Sequence, residues 1–375
     1  MKKKFSKIWG IGLTVVLLAS LMVFAVPVSA GELYWESETL PTAAGKILGA
    51  AGFDVLDLAI ASDGVTIYAA CKTDASDKIL YKSVNGGYSW TDLSSATGLT
   101  ILKTQLVAVA PDDPDTVAVV DSDNATVYVS TNGGAYFSSL GTVQETGGGT
   151  ASKLYSVDIA PERLTVSYIA VGGETGSAAG LWLFNLHGSV TAWVDATTAA
   201  GGWTAPSGTG LINAAGDQVR AVKFSPNFDI DDTMVAITYN ASTTEACFQI
   251  ACFADKTWNV SANFGDSYPV AMEATTTTLA IGTSVDKASI SLASTYDGTE
   301  ADTRIAFVGL RADSSNTEGG IYRLVNTTIK ELKPAIGIRS IAYNTDADKL
   351  VAGSYGDNQV YRADEPTATS ITVKA

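Results

Sequence analysis

Carboxylates are the side chains this sequence holds in greatest chemical supply, with 39 Asp and Glu against 24 Lys and Arg and a single His. Asp57, Asp158 and Glu273 stand out because apolar residues flank each of them, and burial among such neighbours raises a carboxyl pKa. Two such groups facing each other across a sugar, about 5 to 9.5 Å apart, would serve glycoside hydrolysis. Each also reads as a solvated or channel-lining acid in an ion pair. Asp112-Asp113-Pro114-Asp115, Asp121-Ser122-Asp123-Asn124 and Asp229-Ile230-Asp231-Asp232 gather oxygens in short loops, which is what Ca²⁺ takes. None has the spacing of an EF-hand, and Asp or Asn caps its own turn with the same atoms. The sequence therefore names no metal ligand and implies no cofactor beyond this Ca²⁺ option. His187, beside Gly188, reads as a turn residue. Cys71, Cys247 and Cys252 are too few for a disulfide framework in a chain of this size and read as small buried residues.

These acids sit on or between short apolar runs rich in Val, Ile, Thr and Tyr, separated by Gly and Asp turns, with no sustained helical periodicity. The runs recur as a unit of four. Val55 to Ile60, Thr66 to Ala70, Ile79 to Ser83 and Trp90 to Leu93 make the first, and Leu106 to Ala110, Thr116 to Val120, Thr126 to Ser130 and Phe137 to Leu140 match it strand for strand. Four more units keep the skeleton, the last ending near Lys374. A four-stranded repeat of this length is the blade of a propeller. The expectation is an all-β fold, a β-propeller of four-stranded antiparallel blades. Six blades fit best; Leu33 to Leu40, a further strand-like run, makes seven the alternative.

The first two units share a phrase, Ser83-Val84-Asn85-Gly86-Gly87-Tyr88-Ser89-Trp90 and Ser130-Thr131-Asn132-Gly133-Gly134-Ala135-Tyr136-Phe137. Asn85 and Asn132 can bond their own turns, Gly86, Gly87, Gly133 and Gly134 accept positive φ, and Trp90 and Phe137 are apolar anchors. The phrase resembles the Asp-box, or bacterial neuraminidase repeat, with Asn where that family usually has Asp. The resemblance implies a propeller and purely structural roles for these eight residues, since in that family the phrase lies away from any catalytic centre. Sialidases with this repeat carry an Arg-Ile-Pro phrase near the start, whereas Arg304-Ile305-Ala306 comes late and lacks the proline. Xyloglucan-active hydrolases, sortilin-type receptors and the propeller that helps assemble photosystem II resemble the pattern too, and Phe224 to Asp229 with Asp232-Thr233 looks like their strand-to-turn phrase.

Two inserts, Thr197 to Gly216 and Ala262 to Lys287, have the composition of surface loops, where binding sites on rigid scaffolds concentrate. Their aromatics, Trp203 and Tyr268, either pin the loops to the ring or face a ligand.

The first thirty residues set Lys2, Lys3, Lys4 and Lys7 before an apolar run and end Val28-Ser29-Ala30, the pattern of a secretory signal cut after Ala30. The remaining 31–375 reads as one propeller domain, secreted or held in the cell envelope, with no transmembrane segment after cleavage. A formal charge of −15, which becomes more negative once those lysines leave, disfavours nucleic acid as a partner. The expectation is a non-catalytic structural or interaction module, surface-layer associated, whose partner is a protein or glycan at the cell surface. A glycoside hydrolase and a periplasmic assembly factor for a membrane-protein subunit are the alternatives.

Overall fold

The computed structural model describes residues 53–74, 76–144, 150–163, 166–176, 178–189, 191–204, 217–241, 245–260, 264, 268–272, 285–312, 319–355, 359–368 and 371–374. The signal-like segment, Leu33 to Leu40 and Glu273 lie outside the described residues. Among those described, no helix is long and apolar enough to cross a membrane.

The strands form six sheets, each built from consecutive antiparallel strands in chain order. Blade 1 holds β1 to β4 (Phe53–Ile60, Ile67–Thr73, Ser76–Ser83, Thr91–Asp92), and blade 2 holds β5 to β8 (Thr104–Val109, Val117–Asp121, Thr126–Ser130, Ser138–Thr142). Blade 3 follows with β9 to β12 (Ala151–Ile159, Tyr168–Thr175, Ala179–Asn185, Val194–Asp195). In blade 4, β13 to β16 (Gln218–Phe224, Thr233–Asn240, Glu245–Cys252, Thr257–Trp258) gain a fifth strand, β17 (Val270–Ala271), paired with β15. Blades 5 and 6 are β18 to β21 (Val285–Leu292, Ile305–Ala312, Gly319–Val325, Thr328–Pro334) and β22 to β25 (Ile338–Asn344, Lys349–Ser354, Val360–Asp364, Val373–Lys374). The chain is a six-bladed β-propeller.

The middle strands explain the radial arrangement. Every residue of β6 and β7 is buried, as are seven of the eight in β14, so both faces of these sheets are packed. The faces meet in five shared hydrophobic cores, which join blade 1 to 2, 2 to 3, 3 to 4, 4 to 5 and 5 to 6. A sixth cluster, Ala69, Cys71, Ile79 and Trp90, lies within blade 1 alone. Among the described residues no core joins blade 6 to blade 1, and blade 6 leaves Val351 and Val360 exposed.

The two shared phrases fold alike. Ser83 Oγ accepts the N–H groups of Asn85 (3.3 Å) and Gly87 (2.9 Å) and donates to Asn85 Oδ1 (2.9 Å), which also accepts the Ser89 N–H (2.9 Å). Ser130, Asn132, Gly134 and Tyr136 repeat the four bonds at the same distances. Gly86, Gly87, Gly133 and Gly134 all have positive φ, which glycine adopts without a Cβ penalty. Trp90 and Phe137 are buried beneath their turns. The second turn is also held from outside: Phe137 N–H donates to Thr97 O at 2.8 Å, and Gly98 (φ +81°) lies so close that a Cβ there would stand 1.9 Å from Phe137 O.

One departure from an all-strand reading lies in the phrase Phe224 to Asp232. Phe228–Asp231 forms a single helical turn, α1, ended by Asp232 in the left-handed conformation. The turn buries Phe228 against Phe224 and Phe253, with ring centroids 5.0 and 4.9 Å apart. Cys71, Cys247 and Cys252 are all free and buried.

Candidate functional site

The innermost strands of all six blades, β1, β5, β9, β13, β18 and β22, line one axial cavity of about 280 Å³. Each of these strands carries a bulge, which leaves Leu56, Gln105, Tyr155, Arg220, Asp286 and Arg339 unpaired in blade order, and β9 has a second one at Ser152. A bulge twists the strand and re-aims a side chain, so six equivalent positions are turned at the same level of the ring. In blades 1 and 2 they carry little chemistry, whereas in blades 3 to 6 they carry Tyr, Arg, Asp and Arg.

Those four are connected. Arg220 stacks over Tyr155 with its guanidinium carbon 3.9 Å from the ring centroid, and its Nη1 donates to Asp286 O at 3.1 Å. The Asp286 carboxylate pairs with Arg311 (2.6 Å). Arg311 and Arg339 both lie over Tyr355, at 3.4 and 4.6 Å from the centroid. Behind this crescent, Glu174 accepts from Gln218 Nε2 (2.8 Å) and pairs with Lys153 (3.2 Å), while Gln218 Oε1 accepts from Arg220 Nε (2.7 Å). Burial opposes ionisation of Glu174, but bonds from Tyr155, Gln218 and Lys153 outweigh it and hold the carboxyl below its ordinary pKa. Burial pushes the Tyr155 hydroxyl well up. The crescent is a rigid, ion-paired rim with Arg339 exposed at one end and Lys287 on the cavity wall beside it. It offers cations and aromatic faces in an otherwise acidic protein.

Asp57 and Asp158, two of the three acids singled out from the sequence, also line the cavity, but their oxygens are committed. Asp57 Oδ2 accepts the Val107 N–H of the next blade at 3.0 Å, and its Oδ1 accepts the Leu58 N–H at 3.1 Å. Asp158 Oδ2 accepts the Phe224 N–H at 2.8 Å, and its Oδ1 takes Lys223 Nζ at 2.5 Å. Ser156, Ser289 and Ser291 do the same for Val222, Ile341 and Tyr343. Inner-strand side chains of blades 1, 3 and 5 thus bolt onto backbone N–H groups of blades 2, 4 and 6. Desolvation raises the Asp57 pKa despite the Val107 N–H and the Lys287 charge, which act downward.

The acidic loops are likewise spent, on their own turns and on neighbouring blades. Asp113 accepts from Asp115 N–H and Thr116 Oγ1, and Asp121 accepts from Leu102, Lys103 and Asp123 N–H groups and from Asn124 Nδ2. Asp231 takes Ser225 Oγ, Thr233 N–H and Gly298 N–H of blade 5. Among the described residues no group of three His, Cys, Asp or Glu side chains is placed to hold a metal ion. His187 lies in a turn, its N–H donating to Asn185 Oδ1. Asn85, Gly86, Gly87, Trp90, Asn132, Gly133, Gly134 and Phe137 stay in their hairpins, away from the axial cavity. Tyr268 is buried in the core between blades 4 and 5, where its hydroxyl donates to Asn326 Oδ1 at 3.3 Å and Arg304 lies over its ring. Trp203 is only 4% exposed and packs edge-on against Phe253 at 5.2 Å. Both aromatics pack into the ring. The bulge residues escaped the sequence reading, although Arg220 and Arg339, each set just inside an apolar strand start, carried a faint signal.

No protein-family model matches the sequence, and no curated protein matches it. Solved structures do. An ancestral GH74 enzyme superposes with a TM-score of 0.56 at 15% identity, over 88% of this chain and 39% of that one. The GH74 xyloglucanase from Xanthomonas campestris gives 0.55 at 14% identity, over 88% and 46%. YCF48 from Cyanidioschyzon merolae gives 0.46 at 12%, over 86% and 98%. The likeness to the GH74 enzymes is one of fold. The chain spans less than half the length of either of them.

Proposed function

We propose that this protein is an exported, non-catalytic β-propeller that serves as a structural or interaction module of the cell envelope, and that the axial crescent is its binding face. The observation that carries this reading is the commitment of Asp57 and Asp158. Glycoside hydrolysis requires one carboxyl free to give a proton and another free to attack or to activate water, and these two hold neighbouring blades together instead. Arg339, exposed and laid over Tyr355, and Lys287 on the cavity wall suit recognition of a polar or anionic surface group. The signal-like start of the sequence and its acidic composition support export and a place outside the cell.

The test is fractionation of the source cells followed by microscopy of the envelope. Abundant protein in an ordered envelope layer is the expected result, and a trace-level, freely secreted protein that cleaves glycans would overturn the proposal.

A second reading draws on the fold of the GH74 enzymes and on the raised pKa of Asp57, which is the property a general acid needs. Incubating the purified chain with xyloglucan and assaying reducing ends separates the two. Turnover that disappears in Asp57→Asn or Asp158→Asn would establish the hydrolase.

A further inference from the structure

A second cavity, about 430 Å³, opens between blades 3 and 4. Part of its lining comes from the β9–β10, β11–β12, β13–β14 and β15–β16 connections, which antiparallel order puts at the opposite ends of the strands from the bulges, and Trp203 joins it from the β12–β13 connection. It is closed at two places by contacts between the blades. At one, Arg163 Nη1 pairs with Asp232 Oδ1 at 2.6 Å, and Arg163 Nε donates to Asp229 O at 3.3 Å. At the other, Thr204 N–H donates to Lys256 O at 2.8 Å. The one-turn helix of blade 4, the only one among the described residues, and its cap supply Asp229 and Asp232.

Tyr168, Phe253 and Trp203 form its apolar wall, the first two with ring centroids 5.3 Å apart. The side chains left over can each donate. Asn185 Oδ1 already accepts the His187 N–H, which leaves its amide N–H₂ for a ligand. Ser189 adds a hydroxyl, and Lys256 an ammonium with which no described carboxylate pairs. The single acid of the lining, Asp232, is neutralised by Arg163. Aromatic faces suit the C–H face of a sugar ring, and surplus donors with one net positive charge suit an acceptor-rich, anionic ligand. Cavities of this volume fall within the range of small-molecule sites.

We infer that the cavity between blades 3 and 4 is a binding site for a carboxylated pyranose, a uronic acid residue, with its ring on the half-buried Tyr168 and Phe253 and its carboxylate on Lys256. The site is separate from the axial crescent, and its occupation does not depend on the function proposed above.

The experiment is calorimetric titration of the purified chain with D-glucuronate and with D-glucose, on the wild type, Lys256→Ala, Lys256→Glu and, as a control for the axial cations, Arg339→Ala. Lys256 is exposed, so thermal melts of its variants should match the wild type. Saturable glucuronate binding is expected, weakened about tenfold or more by either Lys256 change, as loss of one charge-assisted contact implies. Arg339→Ala should leave it unchanged, and glucose should bind about tenfold more weakly or worse. Equal affinity for the two sugars, indifference to both Lys256 variants, loss of binding in Arg339→Ala alone, or no binding of either sugar would each overturn the assignment.

Discussion

Asp57 of the first blade accepts the backbone N–H of Val107 in the second at 3.0 Å, across the wall of the axial cavity. Replacing it with Ala leaves that N–H without its partner, and the expected cost is about 1–3 kcal/mol in urea unfolding. Asn retains an acceptor oxygen and should lose less. A neutral Asp57→Ala would show that the contact does not hold the blades.

The same carboxyl gives a pH dependence of known sign. Desolvation raises the folded-state pKa of Asp57 above its ordinary value of 3.8, so between those two values the folded protein binds more protons than the unfolded chain. Stability from this group therefore falls as pH rises through that window. Asp231 and Asp232 are raised for the same first cause and act in the same sense. Unfolding at pH 4 and pH 7 should show Asp57→Asn gaining on the wild type at the higher pH, and a gain at the lower pH would contradict the assignment.

The hairpins separate chemistry from shape. Asn132 Oδ1 accepts both Ser130 Oγ and the Tyr136 N–H, and Asp can accept both too. Asn132→Asp should melt within a few degrees of the wild type, whereas Asn132→Ala should lose about 1–2 kcal/mol. Gly98→Ala meets a harder limit, with a Cβ 1.9 Å from Phe137 O at φ +81°. The expected loss is about 2 kcal/mol or more, read from the shift in denaturation midpoint.

Thiol chemistry tests the packing of blade 1. Burial pushes the Cys71 thiol up to about 12, and Cys247 and Cys252 are buried as well. Since the thiolate is the reactive form, a disulfide reagent at pH 8 should titrate no thiol in the native protein and three after guanidinium unfolding.

The blades were legible because each strand announces itself locally. A run such as Val117–Asp121 has β-forming residues on both faces, and the repeated Ser-x-Asn-Gly-Gly phrase marks where the third strand turns into the fourth. What the sequence concealed depends on distant partners. The acceptor role of Asp57 requires Val107, fifty residues along, and that of Asp158 requires Phe224, sixty-six residues along. Apolar neighbours in the chain suggested poised acids, and the same neighbours are simply what an inner strand looks like. Trp203 and Tyr268 lay in loop-like composition, yet Phe253 and Asn326 draw them into the ring. Bulges were invisible because a register slip belongs to a pair of strands, not to either alone.

The five shared cores set how the wheel holds together. Five joints are welded by interlocking side chains, and each blade keeps all its own strands, so no latch of exchanged backbone spans the described residues at the sixth. Amide exchange should therefore be slowest in the strands these cores bury on both faces, β6, β7 and β14.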